Sequence, residues 1–229
     1  MAAPSALKRA LDDIRDTSVE RYVGRVTSVV GMLVEVAGLD RVLSIGGRVD
    51  VEAGAGQWVT CEAIGFREGQ ALLLPFGSLE GVGLGCRAEL KADEPAVRPT
   101  DAWLGRVVNA LGQPIDDKGP LPVGPSPYRL RGTAPPAHQR QRVGGKVDLG
   151  VRGLNAFLTC CQGQRMGIFS GSGVGKSVTL SMLARYTSSD VNVIGLIGER
   201  GREVQEWLED ELGPEGLKRS VVVVATSDE

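Results

Sequence analysis

The sequence predicts an α/β chain in which a small antiparallel β-barrel precedes a parallel sheet that carries a phosphate-binding loop. Three observations support this. Ser170-Gly171-Ser172-Gly173-Val174-Gly175-Lys176-Ser177 lies between the apolar run Met166–Phe169 and the amphipathic run Val178–Ala184, which read as strand, loop and helix. From about Val147 onward the pattern alternates helix and strand, as a parallel, doubly wound sheet requires. Between Glu20 and Leu90, short β-rich runs alternate with glycine turns at close spacing, as in a small barrel.

Taken in order, residues 5–16 read as a short amphipathic helix, with Leu7, Ala10, Leu11 and Ile14 on one stripe. That stripe suits either docking on the chain itself or binding a partner. The barrel strands are expected at Tyr22–Val26, Met32–Val36, Arg41–Ile45, Trp58–Ile64 and Ala71–Phe76. Asp101–Leu111 reads as a short helix closed by Gly112, and the prolines between Pro120 and Pro136 as a stiff, extended crossing. In the second half strands are expected at 165–169, 191–197 and 220–225, and helices at 176–187 and 202–212. Val191–Ile197 is a nearly continuous apolar run, which predicts burial on both faces. Gly213-Pro214 reads as a helix stop. The organisation expected is a helix over 1–19, a barrel over 20–92 and a nucleotide-binding domain over 93–229.

Composition narrows the function. The chain has 229 residues, a formal charge of −2, and no apolar run of membrane-spanning length. Residues 20–90 hold six arginines, no lysine and nine acidic residues, which disfavours nucleic acid as the barrel's partner. The four cysteines, Cys61, Cys86, Cys160 and Cys161, lack metal-ligand spacing and read as buried thiols of a reducing compartment. His138 is the only histidine and sits among prolines, so histidine-based catalysis is not expected.

The loop's chemistry follows from its residue types. Glycines let several backbone N–H groups converge on one point, and the following helix adds its positive end. Lys176 is placed to reach the β- and γ-phosphates of a nucleoside triphosphate, and the Ser177 hydroxyl to ligate Mg²⁺. Ser170 replaces the first glycine of the usual pattern, a position where a small side chain suffices. A second site follows at Gly198-Glu199-Arg200, beyond the strand expected at 191–197. Ligands of parallel sheets bind past the carboxyl ends of strands. There Glu199 can polarise an attacking water and Arg200 can hold γ-phosphate oxygens. The alternative is that Glu199 caps the next helix and Arg200 pairs at the surface; Arg202 and Glu203 are expected to serve that helix.

Gly105–Asp116, Gly163–Gly167, Ser172–Ser177 and Gly198–Glu203 together resemble the catalytic subunits of rotary-type ATPases. The resemblance spans about residues 20–229 and is strongest to the flagellum-specific export ATPases, which are kin to type III secretion ATPases and ATP synthase β subunits. It implies a RecA-like sheet, incomplete here, with ATP and Mg²⁺ bound by Ser170–Ser177 and with Lys176, Glu199 and Arg200 catalytic. It further implies a homo-hexameric ring, a stalk-like regulatory partner for the N-terminal helix, and export chaperone–cargo complexes. The expected location is the cytoplasm, peripheral at a membrane export gate. A virulence-type secretion ATPase, an ATP synthase subunit and an RNA-translocating ring are the competing readings, the last disfavoured by the acidic barrel. The family's later strands and arginine finger would lie beyond Glu229, so the chain as written is expected to bind nucleotide without competent hydrolysis.

Overall fold

The computed structural model describes residues 21–227 except 55, 93, 94 and 172, so the helix expected at 5–16 lies outside the described residues. The chain divides into two compact units after Pro95.

The first unit is a closed antiparallel barrel of six strands, ordered β1-β2-β5-β4-β3-β6. These are β1 (Val23–Val30), β2 (Leu33–Ala37), β3 (Arg48–Glu52), β4 (Trp58–Arg67), β5 (Gln70–Pro75) and β6 (Arg87–Ala92). Alternation sorts the side chains: Val34 and Val36, Val49 and Val51, Cys61 and Ala63, and Ala71 and Leu73 all point into one core. The strand expected at Arg41–Ile45 is instead a turn. Val42 and Leu43 both donate backbone N–H to the Leu39 carbonyl, and Leu39 and Leu43 drop together into the barrel core. β3 and β6 lie outside the expected strands; their charged alternation, Arg48-Val49-Asp50-Val51-Glu52 and Arg87-Ala88-Glu89-Leu90, buries only small or medium residues. Burial pushes the Cys61 thiol up to about 12, with the nearby Asp50 charge adding to the effect, which disfavours the reactive thiolate.

The second unit is built on a parallel sheet ordered β10-β11-β8, from β8 (Arg106–Asn109), β10 (Asn192–Glu199) and β11 (Ser220–Thr226). A two-stranded ribbon pairs β7 (Ala96–Val97) with β9 (Tyr128–Arg129). The helices are α1 (Arg152–Phe157), α2 (Lys176–Tyr186), α3 (Gly201–Glu206) and α4 (Gly213–Lys218), with a π-helical turn, Trp207–Leu212, joining the last two. Val107, Val204, Trp207, Leu212, Val222 and Val224 form the core, with Ala184, Ile194, Leu196, Leu208 and Leu217 packed against it.

Three expectations for this unit are corrected. Asp101–Leu111 is not one helix: a 3₁₀ turn, Asp101–Trp103, ends before Gly105 at φ +82°, and the β-branched Val107 and Val108 enter the sheet beside Val222 and Val223. Residues 165–169 are irregular, because among the described residues no strand pairs with them; Phe169 is 95% exposed. β10 is covered on one face only: Ile194 and Leu196 meet the core, whereas Val193 and Ile197 are each 77% exposed. The stop expected at Gly213-Pro214 is present: Gly213 at φ +65° caps the turn Trp207–Leu212, and α4 starts anew there with proline in its first turn, where its missing N–H is harmless.

Candidate functional site

The phosphate loop enters α2 through Gly175, which serves as N-cap at φ +89°, with Gly173 at φ +75° before it. Both are left-handed conformations that favour glycine. No side chain caps the helix start, so its first N–H groups face the loop. A Cβ added at Gly171, Gly173 or Gly175 would meet nothing within 4 Å, so open space adjoins each of these glycines. Lys176 and Ser177 open the helix, and both are exposed. The Thr179 hydroxyl donates to the Gly175 carbonyl at 2.9 Å and braces the turn. Ser172 lies outside the described residues.

The far end of α2 is fixed by a polar knot. Asp148 accepts hydrogen bonds from the Gly150 N–H (2.8 Å) and the Asn155 amide (2.6 Å), and Asn155 accepts from the Leu149 N–H (2.9 Å). The Ser188 N–H donates to the Asp148 carbonyl, and the Asn192 amide reaches back to the Ala184 carbonyl at 2.7 Å. The Gly150 N–H first, and then the Asn155 amide, hold the Asp148 carboxyl below the usual carboxylate range.

Glu199 is aimed by a bulge. The β10–β11 register shifts between Ile197 and Glu199, and Gly198 takes φ +75° at the shift. Glu199 is thereby half-buried, and the Ser227 N–H donates to its carbonyl at 3.0 Å. Glu199 and Ser177 line one cavity of about 650 Å³ between α2 and β10, together with Leu180, Leu183, Glu203 and Trp207. Lys176 and Arg200 are not among its lining residues. Arg200 is the N-cap residue of α3, its side chain 81% exposed and 3.9 Å from Glu203. Arg202 pairs with Glu206 at 2.9 Å, as expected of helix-serving charges. The structure thus brings Ser177 and Glu199 into the lining of one cavity, with Lys176 and Arg200 beside them in the chain and outside that lining.

One element not singled out from the sequence is the clip around β8. Arg106 donates to both oxygens of Asp116 (2.7 and 2.9 Å) and to the Gly119 carbonyl, and Asp116 also accepts from the Val107 N–H. Both side chains are largely buried. The available signal was the carboxylate at the end of Gly105–Asp116, one strand and a turn away from the arginine.

Fold and site define a phosphate-loop α/β protein with a barrel in front of it. The family profile described as "ATP synthase alpha/beta family, beta-barrel domain" matches residues 26–89, and that described as "ATP synthase alpha/beta family, nucleotide-binding domain" matches residues 150–229. The chain belongs to the ATP synthase alpha/beta family. It is 57% identical over 206 residues to a flagellum-specific ATP synthase of Caulobacter vibrioides, covering 90% of this chain and 46% of the relative. A type 3 secretion system ATPase of Xanthomonas euvesicatoria is 41% identical over 94% of this chain and 48% of its own length. Among solved structures, the assembled ATPase EscN with its central stalk EscO, from the enteropathogenic E. coli type III secretion system, superposes with a TM-score of 0.77. Identity there is 36%, over 90% of this chain and 49% of that one. The chain spans about half the length of the relatives it matches. Among the described residues no helix is long and apolar enough to cross a membrane.

Proposed function

We propose that this chain is the barrel and phosphate-loop portion of an ATPase that energises flagellar protein export. The observation that carries the reading is the uncapped, glycine-lined start of α2, whose Ser177 shares a cavity with the bulge-aimed Glu199. In this reading Ser170–Ser177 cradle the triphosphate, and the Lys176 ammonium lies against the β- and γ-phosphates. Mg²⁺ usually takes one or two protein oxygens and completes its shell with phosphates and water, which suits the Ser177 hydroxyl. Bound there, Mg²⁺ supplies charge neutralisation. Glu199 orients and polarises the attacking water, and Arg200 swings from Glu203 onto the γ-phosphate oxygens.

The flagellar assignment is supported by the Caulobacter relative at 57% identity. The Xanthomonas ATPase and EscN support a second reading, virulence-type export with the same chemistry. EscN, described as assembled and with a central stalk, supports a ring of like subunits here, with residues 1–19 as the arm for a stalk-like partner. The barrel over 20–92, the nucleotide-binding domain over 93–229, chaperone–cargo partners and a cytoplasmic position at an export gate complete the reading.

The test is calorimetric titration with Mg-ATP. The parent chain binds saturably, and Lys176→Ala loses binding, because the fixed charge on the β/γ-phosphates is gone. Equal affinities would sink the phosphate-loop assignment. Restoration of motility, as opposed to virulence secretion, by a complete protein carrying this segment separates the two export readings.

A further inference from the structure

Trp207 stands where the phosphate loop and the Glu199–Arg200 strand end meet. It is 7% exposed, packs with Val204 and Leu212, and lines the cavity shared by Ser177 and Glu199. Its indole N–H points at the carbonyl of Ser177 across 3.5 Å. An indole has one donor and no acceptor, while a carbonyl has two lone pairs, so Ser177 can serve its own helix and Trp207 together. The contact is longer than the usual range of about 2.7–3.2 Å, so a movement of the first turn of α2 by a few tenths of an ångström strengthens or breaks it. On its other side Trp207 continues directly from α3, whose Val204 N–H donates to the Arg200 carbonyl. It also opens the π-helical turn Trp207–Leu212. Such turns relax helical geometry locally and recur at functional sites.

We infer that Trp207 is a positioning residue that joins the first turn of α2 to α3, so that a shift of Ser177 on metal–nucleotide binding is passed to Arg200 and Glu199. This rests on the nucleotide reading above. The route is short. Ser177 offers its hydroxyl to the metal and its carbonyl to the indole, so both contacts move with one residue. α3 is one helical stretch capped by Arg200 at its start and Trp207 at its end, with Glu199 next in the chain. Phenylalanine at 207 would keep the ring's packing and remove the donor, which separates the link from the core.

The experiment uses the full chain. Trp58, Trp103 and Trp207 are its three tryptophans. With Trp58→Phe and Trp103→Phe in place, emission from Trp207 is followed during titration with Mg-ADP and with magnesium-free ADP, alongside calorimetry. A difference spectrum between the parent and Trp207→Phe gives the same reading if the double variant folds poorly. The expected result is a saturable emission change whose midpoint matches the calorimetric Kd for Mg-ADP. Trp207→Phe is expected to weaken Mg-ADP binding about three- to tenfold, the worth of one ordinary hydrogen bond, and to leave magnesium-free binding unchanged. A purely structural tryptophan would weaken both alike, and that result overturns the proposal. So does an unchanged emission at calorimetric saturation. No calorimetric binding by the parent chain removes the nucleotide reading itself, and the link with it.

Discussion

Gly150→Ala tests how the chain is locked to the far end of α2. Gly150 has φ +70°, and a Cβ added there would lie 2.2 Å from the Tyr186 Cβ and 2.5 Å from the Tyr186 carbonyl oxygen. Carbon atoms in contact sit about 3.5–4.0 Å apart, so the new methyl overlaps its neighbour by roughly 1.5 Å. Tyr186 cannot yield easily, because the next two residues are bonded back to the same loop: the Ser188 N–H to Asp148 and the Thr187 hydroxyl to Leu149. Left-handed backbone at an alanine costs about 1 kcal/mol, and overpacking that moves backbone adds about 1–3 kcal/mol. The sum, about 2–4 kcal/mol, lowers the Tm of the second unit by roughly 5–15 °C, read by differential scanning calorimetry. Gly153→Ala is the matched control: Gly153 lies in α1 and a Cβ there meets nothing within 4 Å. Alanine at that position should leave the Tm level or raise it, since it restricts the unfolded chain. If the two variants melt within about a degree of each other, the packing of residues 148–150 on α2 is wrong.

Two further outcomes follow from the site and the clip. In a complete protein, Glu199→Gln should keep Mg-ATP affinity and lose turnover by about a hundredfold or more, because the amide keeps the shape without the charge that orients water. Turnover within about threefold of the parent would remove Glu199 from the chemistry. At the clip, hydrogen bonds from Arg106, then from the Val107 and Lys118 N–H groups, hold the Asp116 carboxyl well below the ordinary range. A depressed carboxylate contributes stability that is complete above its unfolded value of about 3.9 and lost as the pH falls toward the folded value. Asp116→Asn should therefore lower the Tm by roughly 5–10 °C at pH 7, and the gap to the parent should narrow progressively as the pH falls below about 4. A gap that stays constant down to pH 3 would show that the pair does not titrate with folding.

The barrel was legible where its pairings join consecutive strands, as three of the six do. β1 and β2 meet across Gly31-Met32, and β4 and β5 across Glu68-Gly69, so alternation and turn residues specify the ladder directly. Arg41–Ile45 misled because Val42, Leu43 and Ile45 read as a strand until Leu43 is seen to turn back with Leu39 into the barrel core. The parallel sheet was less legible for the opposite reason. β8 pairs with β11, more than a hundred residues later, and nothing near Val107-Val108 announces that partner. With Gly112 and Pro114 downstream, the same residues read as a helix and its stop. Met166–Phe169 has the composition of a strand, yet a strand exists only through its ladder, and composition carries no information about who supplies it.

The same distinction divides the site. Gly173 and Gly175 could be read as left-handed hinges from the motif, because the backbone requirement and the residue that meets it are the same position. Glu199 could be placed at a strand end, but its direction depends on one backbone detail. Strict alternation from Ile194 and Leu196 would carry Gly198 to the core side and send residue 199 outward, with Val193 and Ile197. The register shift at Gly198, permitted by its φ of +75°, returns Glu199 to the side of Ser177. The glycine before the carboxylate therefore aims it, much as Gly175 aims the first turn of α2. Each half of the proposed site is set by a glycine whose neighbour would carry the chemistry. A β-branched residue at 198 would leave Glu199 in the sequence and take it out of the cavity.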